Sequence, residues 1–272
     1  MDYREFAPSP GLAPVVSCLW TLQGDADEVG GDDQAVLPDG CPELVVHLGD
    51  PFERIHEEGS VERQARVIFA GQITSRLILR PTGRVAVLGV RLHADSAPAI
   101  VGWPQDDLAG RTPALDELSG SVARVMNEVR DAASLKDAVR MAQDRLEELV
   151  NPGALDARVR YVVGAILRRR GRLSIDETAR RAGLTRRHLE RRFRRTVGIS
   201  PKRLARIARF QHAVRLLERQ DGSLPAPGAL TAAACGYADQ AHFIRDFRDL
   251  AGCPPGEHLL RRAEVTGFFT SR

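Results

Sequence analysis

The chain has 272 residues, 43% of them hydrophobic and 28% charged, with a formal net charge of +3. That length favours two structural units, and the composition excludes a mainly disordered chain. The small net charge hides a split: residues 1–155 carry 14 Lys and Arg against 25 Asp and Glu, while residues 156–272 carry 25 against 11, so an acidic half of −11 precedes a basic half of +14. Of the 25 basic residues in the second half, 24 are Arg and the other is Lys202. Such a concentration of one sign calls for a polyanionic partner.

In chain order, the opening MDYREFAPSP carries charges early and has no apolar core of signal-peptide length. No run of about 18 apolar residues follows anywhere, so neither a leader nor a membrane span is expected, and the protein is placed in the cytoplasm with reduced thiols. From Val15 to Leu92 the apolar residues come in short runs between Gly, Pro and Asp: Val15–Leu22, Leu44–Leu48, Val67–Ala70, Leu77–Leu79 and Val85–Leu92. Their lengths predict strands of a small antiparallel sheet or barrel. The stretch RLILRPTGRVAVLGVRL predicts a hairpin turning at Pro81, Thr82 and Gly83, where Gly supplies a positive φ.

After Trp103 the period becomes helical. Leu115 and Leu118 lead into SVARVMNEVRDAA and then SLKDAVRMAQDRLEELV, where Ser134 is the expected N-cap and Leu135, Val139, Leu146 and Leu149 share a face. That stripe either packs within the chain or pairs two subunits. Asn151-Pro152-Gly153 stops the helix and sets a boundary between a unit 1–152 and a unit 156–265.

From about Arg158 to Arg262 the pattern predicts two helix-turn-helix units. Ser174-Ile175-Asp176-Glu177 has the form of a capping box and starts a helix that runs to about Ala182, Gly183 makes the turn, and Thr185 caps TRRHLERRFRRTVG. In that helix Leu189, Phe193 and Val197 recur every four residues, while Arg187, Arg191, Arg194 and Arg195 point the other way. A cationic helix behind a Gly turn suits the major groove, where the planar Arg fork pairs with guanine O6 and N7. Gly198 ends it, and Ser200-Pro201 opens an amphipathic helix of about 20 residues through Leu204, Ala208, Val214 and Leu217. Beyond the loop DGSLPAPG the pattern repeats, with Gly236 at the turn, Phe243 and Phe247 inward, and Gln240, His242 and Arg245 more exposed.

Two residues on these faces keep two roles open. Glu190 either accepts from cytosine N4 or forms an ion pair with Arg186 or Arg194 at i±4. His242 either meets DNA or hydrogen-bonds the backbone. Elsewhere, Cys18, Cys41, Cys235 and Cys253 form no C-x-x-C pair, and His47, His56 and His93 lack H-x-H spacing, so no metal is expected. Cys41, beside Gly and Pro, is either a small buried group or a thiol sensor; Trp20 and Trp103 either pack in a core or line a pocket.

The stretches TRRHLERRFRRTVGISPKRL and ACGYADQAHFIRDFRDLAGCPP resemble the DNA-binding domain of the AraC/XylS family of bacterial transcription regulators, over about Val159 to Arg262. The segments CLWTLQ, VLPDGCPELVVHLGDP and LGVRLHADSAPAIVGWPQDDLAGRT look like the N-terminal sensor region of some members. The resemblance implies an α+β chain, a β-rich cupin-like half with trailing helices followed by an all-α double helix-turn-helix half. It implies base contacts from Arg187, Glu190 and Arg191 and from Gln240, His242 and Arg245, with Arg186, Arg194 and Arg195 completing the DNA-binding set. It further implies double-stranded DNA and RNA polymerase as partners, a first half that receives a small-molecule effector or pairs two subunits, a regulator that is an activator or a repressor and acts as a monomer or homodimer, and no cofactor. A cupin-like metalloenzyme or an alkyl-transfer protein fused to a DNA-binding domain is the competing class, for which the sequence offers neither ligand cluster nor nucleophile motif.

Overall fold

The computed structural model describes residues 2–25, 33–218 and 228–264; most of the DGSLPAPG loop lies outside them. Its first half contains strands β1 (Asp2–Phe6), β2 (Val16–Asp25), β3 (Gln34–Val36), β4 (Glu43–His47), β5 (Glu53–Ile55), β6 (Val61–Arg63), β7 (Val67–Ala70), β8 (Leu77–Arg80) and β9 (Arg84–Leu92). They form two antiparallel sheets, ordered β1-β2-β9-β4-β7 and β3-β8-β5-β6.

Alternation along the larger sheet sends one set of side chains to each face. Leu19, Leu44, Val46, Phe69, Leu88 and Val90 meet Met126 of α1 (Gly120–Arg130) and Val139, Ala142 and Leu146 of α2 (Leu135–Leu149). The predicted α2 stripe is thus spent inside the chain, with Ala138 and Ala142 at its centre and Leu135 and Leu149 half-buried at its ends. On the other face Trp20, Leu22, Val45, Ile68 and Val87 pack with Phe52 and, from the smaller sheet, Leu79. Gly89 permits this packing: it pairs in register with Trp20 and Val45, and a Cβ there would lie 2.0 Å from the indole Cε2.

The expected hairpin over Leu77–Leu92 does not form. Strands β8 and β9 belong to different sheets, so the turn at Pro81–Gly83 hands the chain from one to the other. Gly83 is needed for space and not for a positive φ: a Cβ would sit 2.6 Å from Asp50 Oδ2, which accepts the backbone N–H of Arg84 at 2.9 Å.

The second half contains α3 (Ala157–Arg168), α4 (Ile175–Arg181), α5 (Arg186–Val197), α6 (Pro201–Glu218), α7 (Ala229–Cys235), α8 (Gln240–Ala251) and α9 (Pro255–Glu264). Ser200 caps α6 by accepting from the Arg203 backbone N–H at 3.1 Å. The expectation that α6 is amphipathic is corrected. Besides Leu204, Ala208, Val214 and Leu217, its Ala205, Ile207, Phe210, Gln211, His212 and Ala213 are buried. The physical reason is that both halves of the chain cover it. The helical core around Ile166, Phe193, Phe210 and Phe247 also takes in Leu37 and Ala94 from the β-rich half. Gln211 Nε2 donates to the Pro38 carbonyl at 2.7 Å, and Arg160 reaches Asp95 and Ser96, each at 2.8 Å. At the end of α3, Arg170 and Gly171 adopt φ of 52° and 71°, turning the backbone hard against the Ala205 carbonyl of α6.

Candidate nucleic-acid interface

The first unit is assembled from local capping. Ser174 Oγ accepts the Glu177 N–H at 3.2 Å and starts α4, but the Glu177 carboxylate pairs with Arg181, so the capping box closes on one side only. Gly183 turns at φ 67°, and Thr185 Oγ1 accepts the His188 N–H at 3.3 Å to start α5. Leu189, Phe193 and Val197 are buried beneath it. Arg187, Arg191, Arg194 and Arg195 are exposed on the opposite side, with no carboxylate partner among the described residues. Arg186 differs: it lies 3.2 Å from Asp176 and 3.2 Å from Glu190. Glu190 therefore has Arg186 as its ion-pair partner in the free protein. Arg192, at the edge, is held by Asp156 at 2.7 Å.

The second unit repeats the construction. Gly236 ends α7 in the left-handed region, and Asp239 Oδ1 caps α8 by accepting the His242 N–H at 2.7 Å. Phe243 and Phe247 are buried, and Gln240 and Arg245 are exposed. His242 is half-buried, edge-on to Tyr237 with centroids 5.3 Å apart, its Nε2 3.9 Å from Asp246. Arg206 on α6 clamps α8 through Asp246 and Asp249, both at 2.6 Å. Arg248, exposed one turn beyond Arg245, is a further cation that the sequence reading omitted, although the i+3 spacing carries the signal.

Both recognition helices are held at their C-terminal ends by the β-rich half. Gly198 ends α5 at φ 91° against the Gln105 carbonyl, and Gly252 ends α8 at φ 73° beneath the Arg76 guanidinium. A cation there also favours the helix C-terminus electrostatically. The N-terminal turns, which carry Arg187 and Gln240, stay open to solvent. In helix-turn-helix proteins those turns contact base edges.

The N-terminal candidates are dispersed. His56 pairs with Glu62 at 3.1 Å on the smaller sheet, His93 Nε2 lies 3.1 Å from the Ala13 carbonyl, and His47 is buried against Phe52. No group of three or more His, Cys, Asp or Glu among the described residues is placed to hold a metal. Burial pushes the His47 imidazole down to about 4. A base whose folded pKa is depressed gives stability that is complete above its unfolded value of about 6.5 and is lost as pH falls toward 4. Between those limits His47→Leu is expected to flatten the decline of melting temperature with acid seen in the parent; an unchanged slope assigns that decline to other groups. Cys18 and Cys41 are half-buried, and burial pushes both thiols up, Cys18 to about 11, which opposes thiolate sensing. Trp20 is buried, whereas Trp103 is 40% exposed and belongs to no core.

Two helix-turn-helix units on one buried helix, behind a β-rich half, define a double helix-turn-helix transcription regulator. A family model described as a helix-turn-helix domain matches residues 178–261, and one described as a domain of unknown function (DUF6597) matches residues 4–113. A solved structure titled as a probable AraC family transcriptional regulator from Rhodopseudomonas palustris CGA009 is 34% identical, covering 39% of this chain and 97% of that one with a TM-score of 0.35. The chain belongs to the AraC family of transcription regulators. A structure of ToxT from Vibrio cholerae is 12% identical, covering 98% of this chain and 100% of its own, with a TM-score of 0.46. No curated protein matches. No helix among the described residues is long and apolar enough to cross a membrane.

Proposed function

We propose that the chain regulates transcription by laying α5 and α8 into two successive major grooves on one side of a duplex. The observation that carries this reading is the Arg face of α5, made by Arg187, Arg191, Arg194 and Arg195 without carboxylate partners among the described residues, opposed to a fully buried apolar stripe, with a second exposed face on α8 built the same way. Arg187 and Arg191 address bases, while Arg194 and Arg195 grip phosphates. Glu190 and Arg186 act as one paired unit beside them. Gln240, His242 and Arg245 offer more varied chemistry, so most base discrimination is assigned to the second unit. The functional units are 1–152 and 156–265, and the protein acts in the cytoplasm as a monomer or homodimer that recruits RNA polymerase as an activator. It is no enzyme. A small-molecule effector is received by the first unit at its border with the second, supported by a cavity of about 340 Å³ bounded by both halves.

Phosphate neutralisation releases counterions, so log affinity falls against log salt with a slope of about 0.9 per phosphate contacted. Arg194→Ala with Arg195→Ala is expected to reduce that slope by about 2 and weaken all sequences alike, measured by salt-dependent anisotropy on selected and random duplexes. Arg245→Ala is expected instead to relax base preference at one half-site. A selected site whose information lies only under α5 contradicts the division of labour.

A further inference from the structure

The cavity that supports an effector lies outside the packed interior of the sheets, because Trp20 fills the space above Gly89. It opens at the edge of the larger sheet, with Glu5, Asp39 and Arg91 on the sheet side and Leu167, Gln211 and Arg215 on α3 and α6. Its volume of about 340 Å³ is at the lower end of ligand pockets, and apart from Leu167 and Ala208 its walls are polar, charged or thiol groups. A hydrocarbon chain has no apolar wall to lie along.

The charges are arranged by wall. Arg91 gives its Nε proton to Glu43 at 2.6 Å, leaving Asp39 Oδ2 at 3.5 Å, while Asp39 Oδ1 accepts the Cys41 N–H at 2.9 Å. Asp39 therefore keeps an incompletely matched negative charge at the cavity floor, its side chain only 17% exposed. Burial pushes its carboxyl up to about 6 against the pull of Arg91. On the α6 side Arg215 and Gln211 line the cavity, the Gln211 amide nitrogen being committed to Pro38. Building on the effector reading above, we propose that this cavity binds a small amphoteric molecule, an amino acid or close analogue, with its ammonium against Asp39 and its carboxylate against Arg215. Such a ligand joins the sheet to α6, the helix on which both recognition units are mounted, and so ties occupancy to operator binding.

The test is a thermal-shift and calorimetric screen of the full chain with three sets of compounds: the twenty common α-amino acids with γ-aminobutyrate, their des-amino carboxylic acids, and their decarboxylated amines. At least one amphoteric compound is expected to raise the melting temperature, and its des-amino and decarboxylated partners to bind at least tenfold more weakly. Asp39→Asn and Arg215→Gln, each checked for a parental circular dichroism spectrum, are expected to cost tenfold or more in that affinity. If either variant fails to fold, the des-amino and decarboxylated partners carry the same decision on the parent. Binding is also expected to weaken as pH falls through about 6, where Asp39 gains a proton. The groups around Asp39 are Arg91, Glu43, Cys41, Cys18 and Glu5 on the sheet, with Gln211 and Arg215 across the cavity on α6. Monocarboxylates or amines that bind as well as the amphoteric compounds, or an Asp39→Asn variant of parental affinity, overturn the ligand class and leave the effector reading standing. Silence from all three sets counts against both.

Discussion

Replacing Arg187 and Arg191 together by alanine is expected to weaken binding to a selected operator by a factor of about 100 or more. Each side chain stands exposed on α5 with no carboxylate among the described residues to satisfy it, so in the free protein its five donors face water. A well-placed guanidinium on a guanine edge is worth about 1–3 kcal/mol, so two acting on separate bases give about 2–6 kcal/mol between them, and a hundredfold loss, about 2.7 kcal/mol, lies in the lower part of that range. Arg192→Ala supplies the internal comparison. Its guanidinium is already engaged by Asp156, so it lies off the recognition face and its loss is expected to change affinity far less. Anisotropy titrations at one fixed salt concentration distinguish the outcomes. If the double variant keeps both affinity and base preference, α5 is not a reading helix.

Gly171→Ala is expected to lower stability by about 3 kcal/mol or more, seen as a fall in melting temperature of roughly 6–12 °C. Two costs coincide at this position. Its φ of 71° is strained for any residue bearing a Cβ, and the new methyl would lie 1.9 Å from the Ala205 carbonyl oxygen, a backbone atom that cannot rotate away. Gly59 separates the two costs: its φ is 87°, yet a Cβ there meets nothing within 4 Å. Gly59→Ala should therefore show the conformational cost alone, about 1 kcal/mol. Equal losses in the two variants would mean that the close approach of α3 to α6 contributes nothing.

What was legible in the sequence is what short-range chemistry decides. Ser134, Ser174, Thr185 and Ser200 cap the helices they were expected to cap, because an N-cap needs only a hydroxyl and an N–H two or three residues on. Leu189, Phe193 and Val197 announced their buried face for the same reason. Features set by distant partners were not legible. Leu77–Arg80 and Arg84–Leu92 read as a hairpin because only three residues separate them, yet Gln34–Val36 and Val16–Asp25 compete for their edges and win. The half-used capping box has the same origin one turn long, with Arg181 taking the Glu177 carboxylate. The α6 pattern gave an amphipathic helix because nothing local says that a second body covers its outer side. The cavity is the extreme case: Glu5, Asp39, Arg91, Gln211 and Arg215 share no spacing rule, and folding alone makes them neighbours.

Because α6 is claimed by the cores of both halves, neither half can unfold without stripping apolar surface from the other. The amides of α6 should then be the slowest to exchange with solvent, opening only when the whole chain opens, while the outward turns of α5 and α8 breathe freely. A single cooperative melt, in place of two separable ones, is the thermodynamic form of that shared helix.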